Sequence, residues 1–236
     1  MSNNSVVLLG SYGGDESHCL SAWQSTNVEL DVELSEDVRE RIHQLFIATV
    51  VDKKRTPQDL LLMLAENNHH TPFEKSCLHF QITADVASHI HCLKHRIAVS
   101  INAESARYKE LDDKWYLPDD WDQIELRGYG PEKYTLKNLL DDHTRKSHDL
   151  YHLAIEELTP ILGRKRAKES ARYFLTYNKQ LDYDIMFNFR SFAHFQGLRN
   201  SSHAQEEIHE IAQMMLEQVK AIPGNPFRYT LEAFGF

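Results

Sequence analysis

Apolar positions divide the chain into short runs with two different periods. Val6-Val-Leu-Leu9 predicts a strand, and Gly10-Ser-Tyr-Gly-Gly14 predicts the turn after it. The full G-x-G-x-x-G spacing of a dinucleotide fold is missing, so the turn reads as an ordinary one. Ser35 reads as the N-cap of a helix carrying Val38, Ile42, Leu45, Phe46 and Thr49 at helical spacing. Thr56-Pro57 opens a second helix whose apolar face is Leu60, Leu61, Met63 and Leu64. Leu78, Phe80 and Ile82 alternate with His79, Gln81 and Thr83, the period of a half-buried strand. Residues 86–95 read as helix, and the stretch through Tyr108 as irregular. Residues 112–129, rich in Asp, Trp and Tyr, read as a loop.

The C-terminal half reads as a long helix from Pro131 to about Thr159, a break at Gly163 and a helix over 164–176. A short strand over 183–189 and a short helix over 191–198 follow. Ser202-His-Ala-Gln205 has the form of a capping box. After it, Ile208, Ile211, Ala212, Met215, Leu216 and Val219 make the cleanest amphipathic stripe in the chain, ended by Gly224-Asn-Pro226. The pattern predicts an α+β class rich in helix, with a small, mostly antiparallel sheet of at most four strands covered by helices. No internal repeat or linker interrupts it, so residues 1–236 are taken as a single domain.

Composition narrows the functional classes. Hydrophobic residues at 42% and charged residues at 26% suit a soluble globular protein. No apolar run approaches the ~20 residues that span a bilayer. Residues 1–5 lack the features of a signal peptide, so no membrane association and a cytoplasmic setting are expected. Cys19, Cys77 and Cys92 are isolated and odd in number, which fits neither a disulfide framework nor a C-x-x-C zinc site. A net charge of −9 disfavours a nucleic-acid binder but leaves room for a local anion site.

Candidate chemistry gathers in two places. Lys94-His-Arg-Ile-Ala-Val-Ser-Ile-Asn-Ala-Glu-Ser-Ala-Arg-Tyr108 brings cations, then amide, carboxylate, hydroxyl and a further Arg. Guanidinium groups match phosphate oxygens bidentately, although composition alone favours a polar helix end on the surface. The second run is Asn188-Phe-Arg190-Ser191 with Leu198-Arg199-Asn-Ser-Ser-His203-Ala-Gln205. There Arg199 sits in a tight connection between helices, as an anion ligand or a C-terminal helix cation. Arg172 is a third basic candidate. Among fourteen histidines, His91 and His95 are four apart and could share a helix face, and His69-His70 could supply another ligand. No H-E-x-x-H pattern accompanies them, and no metal is expected.

Together these segments resemble the flavin-dependent thymidylate synthase family. Lys94-His95-Arg96 followed by Ser105-Ala-Arg107-Tyr108 matches its Arg-His-Arg motif, spacer, serine and Arg-Tyr pair. His69-His70-Thr71-Pro72-Phe73-Glu74 matches an upstream segment. Asn188-Phe-Arg190-Ser191 and Leu198-Arg199-Asn-Ser-Ser-His203-Ala-Gln205 match two downstream ones. Each motif is weak alone; four in order along residues 6–220 are specific.

The resemblance implies a homotetramer with active sites where subunits meet. It implies FAD contacts from Thr71, Lys94, His95, Arg96, Asn188, His194 and Arg199. The nucleotide, dUMP or UMP, would be held by His91, Glu104, Ser105, Arg107, Arg172 and Arg199, with Arg107 and Arg172 near phosphate. Arg199, Ser105 and His69 would serve catalysis, Arg199 near the pyrimidine carbonyls and His69 near flavin and folate. The implied reaction converts dUMP to dTMP, with methylenetetrahydrofolate giving the carbon and NADPH reducing FAD.

Three departures bear on this reading. Lys94 stands where the family has Arg, and loses the bidentate fork. His91 stands where many members have Gln. The eight residues between Arg96 and Ser105 are one more than the family's usual spacing, which bears on the placement of Glu104 and leaves a UMP methylase or a dUMP hydroxymethylase as alternatives. A catalytically silent flavin or nucleotide binder and a His-rich metalloprotein are the rivals from other classes.

Overall fold

The structure is a computed structural model that describes residues 4–24, 33–38, 40–51 and 53–236. Residues 1–3, on which the reading of the terminus partly rests, lie outside them. Strands β1 (Ser5–Tyr12), β2 (Cys77–Asp85), β3 (Val99–Ala103) and β4 (Gln180–Phe187) form one small antiparallel sheet in the order β1-β2-β4-β3. The chain divides into two compact units. One comprises residues 1–6, 81–94 and 101–184, the other 7–80, 95–100 and 185–236. Each strand passes from one unit into the other.

The second unit holds α1 (Asp15–Trp23), α2 (Arg41–Val50), α3 (Pro57–Glu66), α7 (Phe189–Arg199), α8 (Glu206–Lys220) and α9 (Arg228–Ala233). β1 runs three residues past the expected strand, and the turn is confined to Gly13 and Gly14. At Gly14 a Cβ would stand 2.3 Å from the Pro226 carbonyl oxygen, so the close approach needs glycine. α3 begins as expected, with the Thr56 hydroxyl accepting from Asp59 N at 3.1 Å. α2 starts at Arg41, because Ser35 spends its hydroxyl on Asp37 N in a local turn instead of capping. The Ser202 capping box does not form either; α8 starts after Gln205 without a side-chain cap. The α8 stripe is buried throughout, from Ile208 to Val219. α8 meets α7, where Gln196 Nε2 donates to the Ala212 carbonyl at 2.9 Å. Phe80 stacks on Phe192 at 5.9 Å beside Phe187. Each such side chain contributes about 1.5–3 kcal/mol on burial. The short helix α9 carries no periodic signal and was not expected.

The first unit holds α4 (Val86–Leu93), α5 (Leu136–Leu162) and α6 (Arg164–Ala171). α5 starts five residues later than expected. Pro131 sits in a turn, and Thr135 with Asn138 makes the capping box. Gly163, at φ 75°, ends it as expected. α6 stops at Ala171 and tightens into a 3-10 turn over Arg172–Phe174. Tyr151 and Ile155 of α5 pack with Ala106, Leu111 and Ala171. The Tyr151 hydroxyl accepts from Leu111 N at 2.9 Å.

Two expectations near the motifs need correction. β3 lies inside the stretch read as irregular. Val99, Ile101 and Ala103 are half-buried while Ser100 and Asn102 face solvent, an alternation masked by the polar residues around it. α4 ends at Leu93 with Lys94 as its C-cap. His95 therefore lies beyond the last turn, and the shared helix face proposed for His91 and His95 is not formed.

Candidate active site

In the second unit, α7 organises the site. Asn188 caps it, its carboxamide oxygen accepting from Ser191 N at 2.9 Å. The Ser191 hydroxyl donates to the Ile97 carbonyl at 2.7 Å and pins the turn that follows His95-Arg96. That turn includes Ala98 at φ 52°. At the other end of α7, Arg199 Nε donates to His95 Nε2 at 3.0 Å. This bond requires a lone pair on Nε2 and so places the His95 ring proton on Nδ1. The His95 ring meets Phe195 edge-on at 4.9 Å and stands 6.0 Å from the His194 ring. Of the expected cofactor set in this unit, His95, His194, Arg199 and Asn188 are thus drawn onto one helix and the turn beside it. Arg96 is exposed on that turn. A cleft of about 370 Å³ adjoins it, lined by Ser76, Cys77, Ala98, Ser100, Phe187 and Asn188.

Thr71 opens the 3-10 turn Thr71–Glu74, exposed, one residue after the half-buried His70 and two after the exposed His69. Glu74 closes the turn and binds Arg190 Nη1 at 2.6 Å, tying this segment to the first turn of α7. A larger cleft of about 680 Å³ lies around Gly13, Asp15 and Pro226 and holds none of the expected residues. Donors and acceptors mark the site better than volume does.

Behind the small cleft runs a buried polar chain. Ser76 Oγ meets His18 Nε2 at 2.9 Å, and His18 Nδ1 meets Thr230 Oγ1 at 2.9 Å. Thr230 Oγ1 donates to Asp15 Oδ1 at 2.6 Å. Burial among Phe73, Phe189 and Phe227 lowers the His18 pKa to about 3. Burial raises that of Asp15, against the hydrogen bonds from Thr230 and Tyr229 that lower it.

In the first unit, the turn after β3 carries the expected nucleotide set. Glu104 brackets Asp182: its N donates to the Asp182 carbonyl at 2.9 Å, and its Oε1 accepts from Asp182 N at 3.2 Å. Glu104 Oε2 pairs with Lys109 Nζ at 2.6 Å, which raises the Lys109 pKa. Ser105 Oγ accepts from Arg107 N at 3.3 Å and shapes the turn. The Arg107 side chain folds onto α6, where its Nε pairs with Glu169 Oε1 at 3.0 Å. Lys168 Nζ donates to the Tyr108 carbonyl at 2.9 Å and fastens the same turn. Arg172 is exposed at the start of the 3-10 turn after α6. His91 is half-buried in the last turn of α4, and Lys94 is exposed. Glu104, Ser105 and Arg107 therefore share one turn, and Arg107 reaches the helix that leads into Arg172.

Residues 12–223 match the family described as thymidylate synthase complementing protein. The chain is also similar to proteins named flavin-dependent thymidylate synthase. That of Pseudothermotoga lettingae is 30% identical over 173 residues, 73% of this chain and 74% of that one. That of Thermosipho africanus is 31% identical over 165 residues, 67% and 71% of the two chains.

The chain belongs to the flavin-dependent thymidylate synthase family.

The relative from Gluconobacter oxydans is 32% identical over 178 residues, of whose length this chain spans 58%. Among solved structures, the UMP/dUMP methylase PolB from Streptomyces cacaoi bound with 5-Br dUMP has a TM-score of 0.68 at 25% identity. The match covers 99% of this chain and 95% of that one. For this family member, sequence reasoning missed two residues that set the state of the expected ligands. Glu169 engages Arg107, and Lys109 engages Glu104. Glu169 stands in an unremarkable helix position, and no sequence signal marks it. Lys109, directly after Tyr108, could have been found from its proximity to the motif.

Proposed function

We propose that this protein is a flavin-dependent thymidylate synthase that methylates C5 of dUMP to give dTMP, with methylenetetrahydrofolate as carbon donor and NADPH as reductant. The observation that carries the reading is the Arg199–His95 hydrogen bond. It engages Nε of Arg199 and leaves the Nη edge of the guanidinium to address a flat, carbonyl-bearing ligand. The donor set suits FAD: a planar cation and an imidazole on the C-terminal half of α7, with a second imidazole and the exposed Arg96 on the neighbouring turn. Thr71, Lys94, His95, Arg96, Asn188, His194 and Arg199 would hold it, with His69 placed toward flavin and folate. When bound, FAD supplies the redox step, passing on the hydride taken from NADPH.

The chain's own residues position and polarise. Arg199 offers fixed positive charge to the uracil carbonyls, where negative charge builds as C5 becomes nucleophilic. A guanidinium is a standing cation, so this charge needs no protonation step. Ser105, with His91 and Glu104, reads sugar and base. Arg107 and Arg172 take the phosphate, which Arg107 meets by leaving Glu169.

The active unit is a homotetramer whose sites form where subunits meet. Several segments bearing proposed ligands also expose a large apolar side chain: Leu93 and Ile97 flank 94–96, Tyr108 follows Arg107, Tyr173 and Phe174 follow Arg172, and Leu198 precedes Arg199. Apolar surface gathered at ligand residues is what a shared interface needs. The setting is cytoplasmic, which suits the free cysteines. Among the described residues no helix is long and apolar enough to cross a membrane.

A second reading is favoured by the extra residue before Ser105 and by the likeness to a protein named UMP/dUMP methylase. It is a nucleotide C5-modifying enzyme that takes UMP or stops at a hydroxymethyl product. Mass spectrometry of products from dUMP and from UMP, with methylenetetrahydrofolate, NADPH and FAD, separates the two. A 5-methyl product from dUMP alone is the expected result, and FAD binding without any product would overturn both.

A further inference from the structure

We propose that Asp113, His148 and His152 form a binding site for a divalent first-row transition-metal ion, zinc by ligand type, that ties α5 to the segment following the substrate turn. The three ligand atoms lie within 4.8 Å of one another. Asp113 Oδ1 stands 2.8 Å from His148 Nδ1 and 2.8 Å from His152 Nε2. The two histidines are four apart on α5 and therefore share a face. Two imidazoles and one carboxylate are a recurring ligand set for zinc and iron, with a fourth position left to water.

His152 lies between two carboxylates: Nδ1 donates to Glu110 Oε1 at 2.8 Å and Nε2 to Asp113 Oδ1 at 2.8 Å. An ion would take the place of the Nε2 proton while Nδ1 keeps its bond to Glu110. A carboxylate behind a ligating histidine is the usual support of such a site. Glu110 is held in turn by Arg164 Nη2 at 2.7 Å. The His148 side chain is nearly buried, at 3% exposure, with the Trp115 ring 5.0 Å away. Asp113 is half-exposed, at 54%, which gives an ion a route in from solvent. Ligands 2.0–2.1 Å from a tetrahedral ion stand ~3.3 Å apart, so the two 2.8 Å contacts of Asp113 Oδ1 need to open by about half an ångström.

The position gives the ion a purpose. Asp113 lies between the Glu104–Lys109 turn and Trp115, which bridges to Lys179 at the entry to β4. A metal there would fix residues 110–116 against α5 and so steady the turn that bears Ser105 and Arg107. The site itself does not depend on the proposed activity.

The full-length protein, freed of metal with EDTA and desalted, is titrated with ZnCl2 by calorimetry and with CoCl2 by visible absorbance. One ion per chain and a cobalt ligand-field band are expected. The double variant Asp113→Asn with His152→Gln should lose both while keeping its circular dichroism. Should that variant misfold, Glu110→Gln decides, with zinc binding ~10–100-fold weaker expected for loss of the supporting carboxylate. A wild-type protein that takes up no ion, or one whose binding is unchanged in these variants, overturns the proposal. In that case the cluster is a hydrogen-bonded tie only. The readouts are binding and absorbance, so a negative result leaves the thymidylate synthase reading untouched, and loss of turnover leaves this site untouched.

Discussion

Arg199 Nε donates to His95 Nε2 at 3.0 Å, joining two motifs 104 residues apart. The bond aims the guanidinium from the end of α7 and fixes the tautomer of the histidine. Arg199→Ala is expected to lower turnover by ~100-fold or more, the scale for losing one preorganised charged donor. Arg199→Lys keeps the charge but loses the fork, so it should recover only part of the rate. Steady-state assay of folded variants checks both, and near-normal turnover in Arg199→Ala removes the residue from the mechanism.

FAD should bind the purified protein and stabilise it. At a free concentration 100 times Kd, mass action adds ~2.7 kcal/mol to the folded state. The measurements are quenching of flavin fluorescence and the shift in Tm. If saturating FAD moves neither signal, the cofactor assignment fails.

Arg107 is engaged by Glu169 at 3.0 Å, so nucleotide phosphate has to displace a carboxylate. The pair is partly exposed and is worth about 1 kcal/mol at most. Glu169→Gln should therefore tighten dUMP binding by up to ~5-fold. Arg107→Ala should weaken it. Calorimetric titration with dUMP resolves both signs, and tighter binding in Arg107→Ala would contradict a phosphate role.

The buried His18 gives the fold a pH dependence. Its folded-state pKa is lowered to about 3 from 6.5. The unfolded chain therefore binds a proton that the folded chain refuses. Stability from this residue is fully present above pH 6.5 and falls as pH drops from 6.5 toward 3, by at most ~1.4 kcal/mol per pH unit. Asp15, whose pKa is raised, works in the opposite sense at acidic pH, losing stability as pH rises. Chemical denaturation between pH 4 and 8 should show a slope that flattens in His18→Gln. An unchanged slope in that variant would assign the dependence elsewhere.

No cysteine nucleophile is expected. Burial, with Asp15 and Glu16 nearby, pushes the Cys19 thiol up to about 12. Cys92 is buried against the Tyr183 hydroxyl at 3.5 Å. Cys77 is half-buried at the start of β2. A variant with all three changed to Ser or Ala should keep FAD- and NADPH-dependent methylation. Loss of activity traced to Cys77 or Cys92 alone, with FAD still bound, would point to covalent chemistry.

Much of this was legible in the sequence because periodicity reports burial directly. The α8 stripe from Ile208 to Val219, the alternation at Leu78, Phe80 and Ile82, and the Thr56-Pro57 start are local signals that tertiary packing did not override. The motifs marked the proposed ligand residues as residue types at fixed spacings. Two helix starts were not legible: the Ser35 hydroxyl turned on Asp37 N instead of capping α2, and α8 starts after Gln205 without a side-chain cap. β3 was hidden because its half-buried alternation lies among polar neighbours.

By itself the sequence determined the class, the order of the motifs and the family, since these depend on side-chain chemistry and on periods of two or 3.6 along the chain. Only the tertiary structure decided which groups meet. It gave Arg199 to His95, Arg107 to Glu169 and Glu104 to Lys109, and it brought Asp113 onto the His148–His152 face of α5. Apart from Glu104 and Lys109, which share a turn, these pairings join segments far apart in sequence. Their partners follow from how helices and strands pack, and a hydrogen bond or ion pair leaves no period in the chain for a reader of sequence to find.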